Sequence, residues 1–467
     1  MKIRLPRITT TALWVAASFV AAAGVVALSD RIGSTTTVVL VLAACAVAVM
    51  LALPVDALPA TALVLYLVVP RVVLATNDFA NTITPSFAVL AVWFVRAQLG
   101  SRTGAARRDA AGAVPVFLVI GTSIWVIISL ILNSHEATMT AWALDFIVLF
   151  LAPMLVRTTD RAISMLGTTF LWSSALMAAM CLVEFAFGRN VFLDPVYAAF
   201  AIPDVQHWSV YRAAGTLGHP LHAGLFFAMS FGLAFGRRFE GGGNRYLLLA
   251  GVNMVGVLLT VSRSSLGAIV VAAAAIIVPN LLFKSRLGTS TRISLSVLIV
   301  GATIALTQVS TFRDRLDSNE AAGSTEARNL LLDIAEQAAS AHHWLGAGPG
   351  TALMAAAPFN VKGVIIENGY LQLLISVGIP GLMLVALLLI CGAVRAVRRG
   401  AYAGLGVLVA YAVAIGFFNV LESSRPALVL GGFALMLAWR SPSPATAPVP
   451  APSLDLRQPL HRRAVDA

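Results

Sequence analysis

The chain alternates between long apolar runs and short polar or basic turns. About fourteen runs are candidate membrane helices, near 11–28, 36–53, 57–75, 83–97, 113–132, 141–156, 163–187, 221–236, 246–261, 264–283, 292–309, 368–394, 402–421 and 425–439. A helix crossing a bilayer needs about 20 mostly apolar residues, so the run at 83–97 is short. The run at 57–75 contains Pro70-Arg71 and is expected to kink. Two segments break the pattern, about 188–220 and 310–366. In the second, Leu331, Ile334, Ala335 and Ala338 recur at helical spacing, with Glu326 in the first turn. This predicts an amphipathic helix, stopped by Gly346-Ala347-Gly348-Pro349-Gly350. The expected architecture is all-α: a polytopic transmembrane bundle of about 14 helices over 1–439, with a Pro/Ala-rich disordered tail over 440–467.

Composition turns this pattern into a class. Of 467 residues, 59% are hydrophobic and 11% charged, against roughly 25% charged in soluble domains. So apolar a chain could not cover a water-facing surface, which excludes a cytosolic enzyme, a nucleic-acid module and a disordered chain. Cys45, Cys181 and Cys391 lie in apolar runs and read as small hydrophobes.

The net charge of +11 gains meaning from its placement. With Met1 inside and the runs alternating, the inside segments collect 22 of the 32 Lys and Arg residues. That bias follows the positive-inside rule and puts both termini in the cytoplasm. The first run then reads as a signal anchor. Both long segments fall outside, so the chemistry is expected on the outer face.

Candidate chemistry sits in those segments. Arg212 precedes a helix opened by Pro220, a position suited to phosphate oxygens or to snorkelling toward headgroups. Arg263 stands among Ser262, Ser264 and Ser265 between two apolar runs, where it requires a partner, a cavity or the headgroup layer. Arg328 opens the loop helix, where it could equally form a solvated pair with Glu326 or Asp333. Glu367 precedes Asn368-Gly369-Tyr370 at a helix mouth; it is either an N-terminal cap or, if partly buried, a general base. His219 and His222 share a helix face but lack a third ligand nearby, so no metal is expected. Asp145 and Glu184 lie inside apolar runs and face the bundle in either a structural or a functional role.

In order and spacing these pieces resemble the O-antigen ligase and polymerase superfamily over roughly 205–395. The matching motifs are Arg212 with Gly218-His219-Pro220, Ser262-Arg263, Arg328 with Gly346, Gly348 and Gly350, Glu367-Asn368-Gly369-Tyr370-Leu371, and Gly378-Ile379-Pro380-Gly381-Leu382. Lipopolysaccharide ligases carry histidine before that asparagine. Glu367 shifts the resemblance toward a polymerase, or toward a ligase with another acceptor.

The resemblance implies a GT-C-like membrane glycosyltransferase in the cytoplasmic membrane of a bacterium. Its donor would be a glycan on polyprenyl diphosphate and its acceptor a glycan or lipid, with no cofactor and no nucleic acid. Arg212 and Arg263, with Arg328, would hold the diphosphate, and Glu367 would take the acceptor proton in an inverting, metal-independent displacement. His219, Asn368 and Tyr370 would bind substrate, and the loop helix would form a lid. The competing class is a lipid-linked oligosaccharide flippase or polysaccharide exporter.

Overall fold

The computed structural model describes residues 50–70, 83–100, 113–133, 137–156, 158–199, 210–283, 319–419, 421–422 and 424–440, with the side chains of 281–283 and 319–329 left aside. The expected spans at 11–28 and 292–309, nearly all of 36–53, the tail beyond Arg440, Cys45 and His207 lie outside the described residues. Helices and turns make up the described chain, with no strand among these residues.

Eleven of the expected runs carry a helix. They are α1 (Leu58–Val68), α2 (Pro85–Gly100), α3 (Ala113–Leu132), α4 (Ala137–Leu155), α5 (Asp160–Phe187), α6 (Pro220–Phe239), α7 (Arg245–Leu259) and α8 (Arg263–Phe283), then, after the loop helix α9 (Asn319–Ala341), α10 (Gly369–Arg399), α11 (Tyr402–Ile415) and α12 (Leu428–Arg440). Among the described residues five stretches, α3, α4, α5, α10 and Arg263–Asn280 of α8, are long and apolar enough to cross a membrane. Several runs yield less helix than their apolarity promised. The one at 57–75 stops at Val68, where Val69 turns extended before Pro70. The one at 402–421 ends at Ile415, and the chain then turns across the end of the bundle.

Local chemistry sets the helix limits. Thr159 caps α5 by accepting the Ala162 N–H at 3.1 Å, and Gly188 ends it in the left-handed region. Asn368 caps α10, accepting from Tyr370 and Leu371. Arg237-Arg238 and Arg398-Arg399 fall in the last turns of α6 and α10, where a cation meets the negative end of the helix dipole.

The core is built around α11, which packs against α6, α8, α10 and α12. The α6–α11 crossing is close because glycine meets glycine. A β-carbon on Gly232 would strike the Gly406 backbone, and one on Gly236 would strike Tyr402-Ala403. The rim is apolar, with Phe117 and Ile131 on α3 and Trp172 and Leu176 on α5 exposed, as a lipid-facing surface requires.

Basic residues gather at one end of the bundle. Glu240 at the foot of α6 pairs with Arg237 at 3.3 Å and accepts the Ala403 N–H of α11 at 2.8 Å. Arg395 donates to the Trp439 carbonyl, Arg440 to Met154, and Arg96 to Met50 and Leu53. The opposite end, the mouth, is formed by the N-termini of α2, α6, α8, α10 and α12 and the C-termini of α1, α5, α7 and α11.

Candidate active site

At the mouth, two segments join Arg212 to the turn that carries Arg263. Ala213 N–H donates to the Leu259 carbonyl at 3.0 Å, and Arg212 Nε donates to the Thr260 carbonyl at 3.1 Å. Arg212 is 5% exposed. The turn from α7 to α8 is tight: Val261, a buried β-branched residue, sits at φ 48°. A conformation so unfavourable costs about 1–3 kcal/mol and persists only where the surroundings enforce it. Ser262 then caps α8, its Oγ accepting from Ser265 N–H at 3.3 Å and lying 2.8 Å from Ser265 Oγ. Arg263 is the first residue of α8 and is half-buried.

The segment bearing Arg212 is held by Glu184. This carboxylate accepts from Tyr211 Oη at 2.9 Å, from Ala214 N–H at 2.9 Å and from Gly215 N–H at 2.7 Å. Fully buried and saturated with donors, Glu184 positions Arg212.

His219 caps α6, its Nδ1 accepting the Leu221 N–H at 3.2 Å, and Pro220 occupies the first turn as expected. Its ring stacks on Phe418 at 6.0 Å and meets His222 edge to face at 5.5 Å. Among the described residues no three His, Cys, Asp or Glu side chains are grouped to hold a metal ion.

On the far side of the 416–424 turn, Tyr370 Oη donates to the Ala412 carbonyl at 2.6 Å. A β-carbon on Gly369 would touch Leu421, so the head of α10 abuts the same turn. The head of α10, with Asn368 and Tyr370, and His219 therefore both pack against that turn, and Asn368 and Tyr370 are tied to backbone. Glu367 is exposed, so the partial burial expected for a base is not found. Arg328 lies within α9, its side chain outside the described residues.

Leu331, Ile334, Ala335 and Ala338 of α9 are buried against Ile366, Ile375, Ala352 and Ala356, which confirms the amphipathic reading. The loop after α9 is plugged into a break in α10. Gly378 adopts φ 70°, ψ −175°, a region open only to glycine, and Pro380 follows it. Carbonyls freed at the break find new donors. Ala347 N–H bonds Ile375 O at 2.8 Å, Gly348 N–H bonds Ser376 O at 2.9 Å, and Trp125 Nε1 bonds Val377 O at 2.7 Å. Ile379 N–H returns a bond to Trp344 O at 3.0 Å. The C-terminal half of the expected lid is therefore fixed to the bundle.

Glu422 completes this arrangement and was not singled out from the sequence. It bonds Ser376 Oγ and accepts the Ala352 N–H at 2.9 Å, joining the 416–424 turn, α10 and the loop after α9. Enclosure by protein pushes its carboxyl up to about 8, against the pull of those two hydrogen bonds. An acidic residue in the turn between two apolar runs was the available signal. Asp145 is buried in α4, close enough to Arg425 to feel its charge.

A family model described as O-antigen ligase matches residues 246–386. The match supports the resemblance to the O-antigen ligase and polymerase superfamily and takes in Ser262-Arg263, Arg328, the Gly346–Gly350 stretch, Glu367–Leu371 and the α10 break. Arg212 and His219 lie ahead of it. No curated protein matches the chain.

Proposed function

With an O-antigen ligase match over residues 246–386 as the premise, we propose that this protein transfers or polymerises glycan from a polyprenyl-diphosphate donor onto a glycan or lipid acceptor. The reaction belongs to cell-surface polysaccharide synthesis. It takes place at the mouth, on the outer face of the cytoplasmic membrane, with the basic end and both termini in the cytoplasm.

The observation that carries this reading is the union of Arg212 with the Ser262-Arg263 turn through Thr260, at the end opposite the basic cluster. Two guanidinium groups brought to one turn suit a diphosphate leaving group, whose charge grows as the glycosidic bond breaks. Arg328 of α9 is the candidate for a third cation by sequence alone. His219, Asn368 and Tyr370 border the acceptor, and Glu367, exposed beside the Asn368 cap, takes its proton as a solvent-facing carboxylate rather than a buried base, in an in-line, inverting displacement. The donor brings its own leaving group, so the scheme uses no metal and no nucleotide.

The test is release of polyprenyl diphosphate by purified protein given lipid-linked oligosaccharide from the source cells. Arg263→Lys keeps the charge but loses the fork and should lower turnover on the order of a hundredfold. Chelation should leave the wild type active. Near-normal turnover by Arg263→Lys would remove the diphosphate role, and lipid-linked glycan crossing liposomes without release would make the protein a transporter.

A further inference from the structure

Past its break, α10 exposes one residue per turn, and each is apolar as far as the basic end: Ile379, Met383, Leu387, Ile390 and Val394. An unbroken apolar stripe on a helix long enough to span a membrane is the face turned to lipid. Before the break the picture changes, and no residue of α10 from Gly369 to Gly378 is exposed.

Helix length requires lipid to meet something else at that level. Arg395, bonded to the Trp439 carbonyl at the foot of α12, marks the polar boundary at the basic end. A hydrocarbon layer about 30 Å thick spans roughly 20 residues of helix at about 1.5 Å each. Counted from Val394, the layer reaches about as far as Ile375, and any tilt lengthens the stretch. Ile375, Ser376, Val377 and Gly378 are buried, and the loop after α9 covers them, with Ala347 N–H on Ile375 O and Gly348 N–H on Ser376 O.

The turn that opens this loop sits at the top of the stripe. Trp344 N–H bonds Ala339 O at 2.8 Å and His343 N–H bonds Ser340 O at 3.0 Å, which closes α9. His343 and Trp344 have φ of 54° and 62°, two successive left-handed residues with no glycine between them. Such strain persists only where the surroundings enforce it. Trp344 O then accepts the Ile379 N–H at 3.0 Å, so the backbone of the turn abuts the first residue of the stripe. The side chains of Trp344 and Leu345 are 37% and 49% exposed. The end of α3 flanks the same loop: a β-carbon on Gly348 would touch Asn133, and Ile131 and Leu132 are exposed.

Charge stops where the apolar surface begins. Asp333 and Glu336 are exposed on α9. From Gln337 to Val361 the chain has no Asp, Glu, Lys or Arg over 25 residues, where a water-facing segment at roughly 25% charge would carry about six.

We propose that the turn after α9 docks on the lipid leaflet at the mouth. Leu345 lies among the acyl chains and the Trp344 indole at the headgroup boundary, where tryptophan collects in membrane proteins. The bilayer thereby closes over the loop that fills the α10 break. The inference stands apart from the transferase reading, since a transporter with this break would need the same cover.

The test is spin-label accessibility in nanodiscs of phosphatidylethanolamine and phosphatidylglycerol. With Cys45, Cys181 and Cys391 replaced, single cysteines are introduced as Leu345→Cys and Trp344→Cys in the turn, Met383→Cys on the stripe and Lys362→Cys beyond the uncharged segment. Oxygen reports lipid and a nickel chelate reports water. The label at Leu345 should match that at Met383, with an oxygen-to-nickel ratio severalfold above that at Lys362, and the label at Trp344 should fall between them. A ratio at Leu345 equal to that at Lys362 would put the turn in water and overturn the proposal. A label at Leu345 that neither reagent reaches, with Met383 still open to oxygen, would show protein on the patch, a second copy included, and would overturn it as well. Leu345→Cys replaces a half-exposed side chain and keeps the backbone bonds of the turn. Should it still disturb the fold, Trp344→Cys decides between lipid and water from the neighbouring position.

Discussion

A carboxylate wedged between a helix hydroxyl and a loop amide has to titrate with the fold it holds together. Glu422 bonds Ser376 and Ala352, and its enclosure pushes its carboxyl from the usual 4.5 up to about 8. The folded state therefore holds a proton that the unfolded chain has released between those values. Stability from this group is fully present below about 4.5 and is lost as pH rises through about 8. Its slope cannot exceed about 1.4 kcal/mol per pH unit. Glu422→Gln keeps an acceptor for Ala352 N–H and removes the titration. Melting of the two proteins in detergent from pH 5 to pH 9 should show wild type losing ground to the variant as pH rises; parallel curves would sink the assignment. At this scale the sequence was partly legible. Arg212 and Arg263 stood out because arginine between apolar runs is conspicuous. Glu184 was recognised as bundle-facing, but its job of holding Tyr211, Ala214 and Gly215 depends on a contact about 30 residues away in sequence. Glu422 gave no periodic signal, since its partners come from two other parts of the chain.

A helix that breaks inside an apolar bundle exposes carbonyls, and something must bond them. In α10 that role falls to the loop after α9, together with Trp125. Gly378 is the hinge of this arrangement. A β-carbon there would strike the Trp344 and Leu345 backbone, in a conformation that already costs a non-glycine residue about 1–3 kcal/mol. Gly378→Ala should accordingly detach the loop while leaving the rest of the bundle in place. Hydrogen exchange at the Ala347 and Gly348 amides should rise, with little change at the foot of α6, where Glu240 meets α11. Unchanged exchange at Ala347 and Gly348 would show that the loop does not depend on the break. The amphipathic face of α9 could be read directly because 3.6-residue periodicity is a local property. The break was written as Gly378-Ile379-Pro380-Gly381, yet the surrounding run is apolar throughout, and hydropathy does not register where backbone hydrogen bonds are exchanged.

Helix length and charge placement together describe a bundle with two unlike ends. The helices α7, α11 and α12 have 15, 14 and 13 residues. At about 1.5 Å per residue they span roughly 20–23 Å of a hydrocarbon layer about 30 Å thick. All three meet the basic end, α7 starting at Arg245, α11 following Arg398-Arg399, and α12 finishing at Arg440. The shortfall therefore falls at the mouth, where Arg212, the Val261 turn and the 416–424 turn lie sunk among longer neighbours such as α5, with 28 residues. Irregular backbone is tolerated at that depth only when protein encloses it or it lines a cavity. Under the proposed function, a recessed mouth would let a lipid-linked donor bring its diphosphate to the arginines with its chain still in the bilayer. The proposed transferase reading requires the mouth to face outward and the arginine-rich end to face the cytoplasm, and that orientation can be measured. With Cys45, Cys181 and Cys391 replaced, Lys362→Cys in the exposed loop before α10 and Asn244→Cys in the exposed turn before α7 give two reporters. An impermeant maleimide should label Lys362→Cys in right-side-out vesicles and Asn244→Cys only in inverted ones. The reverse pattern would put the arginine cluster outside and the mouth in the cytoplasm, and a transferase drawing on outward-facing lipid-linked glycan could not work in that orientation.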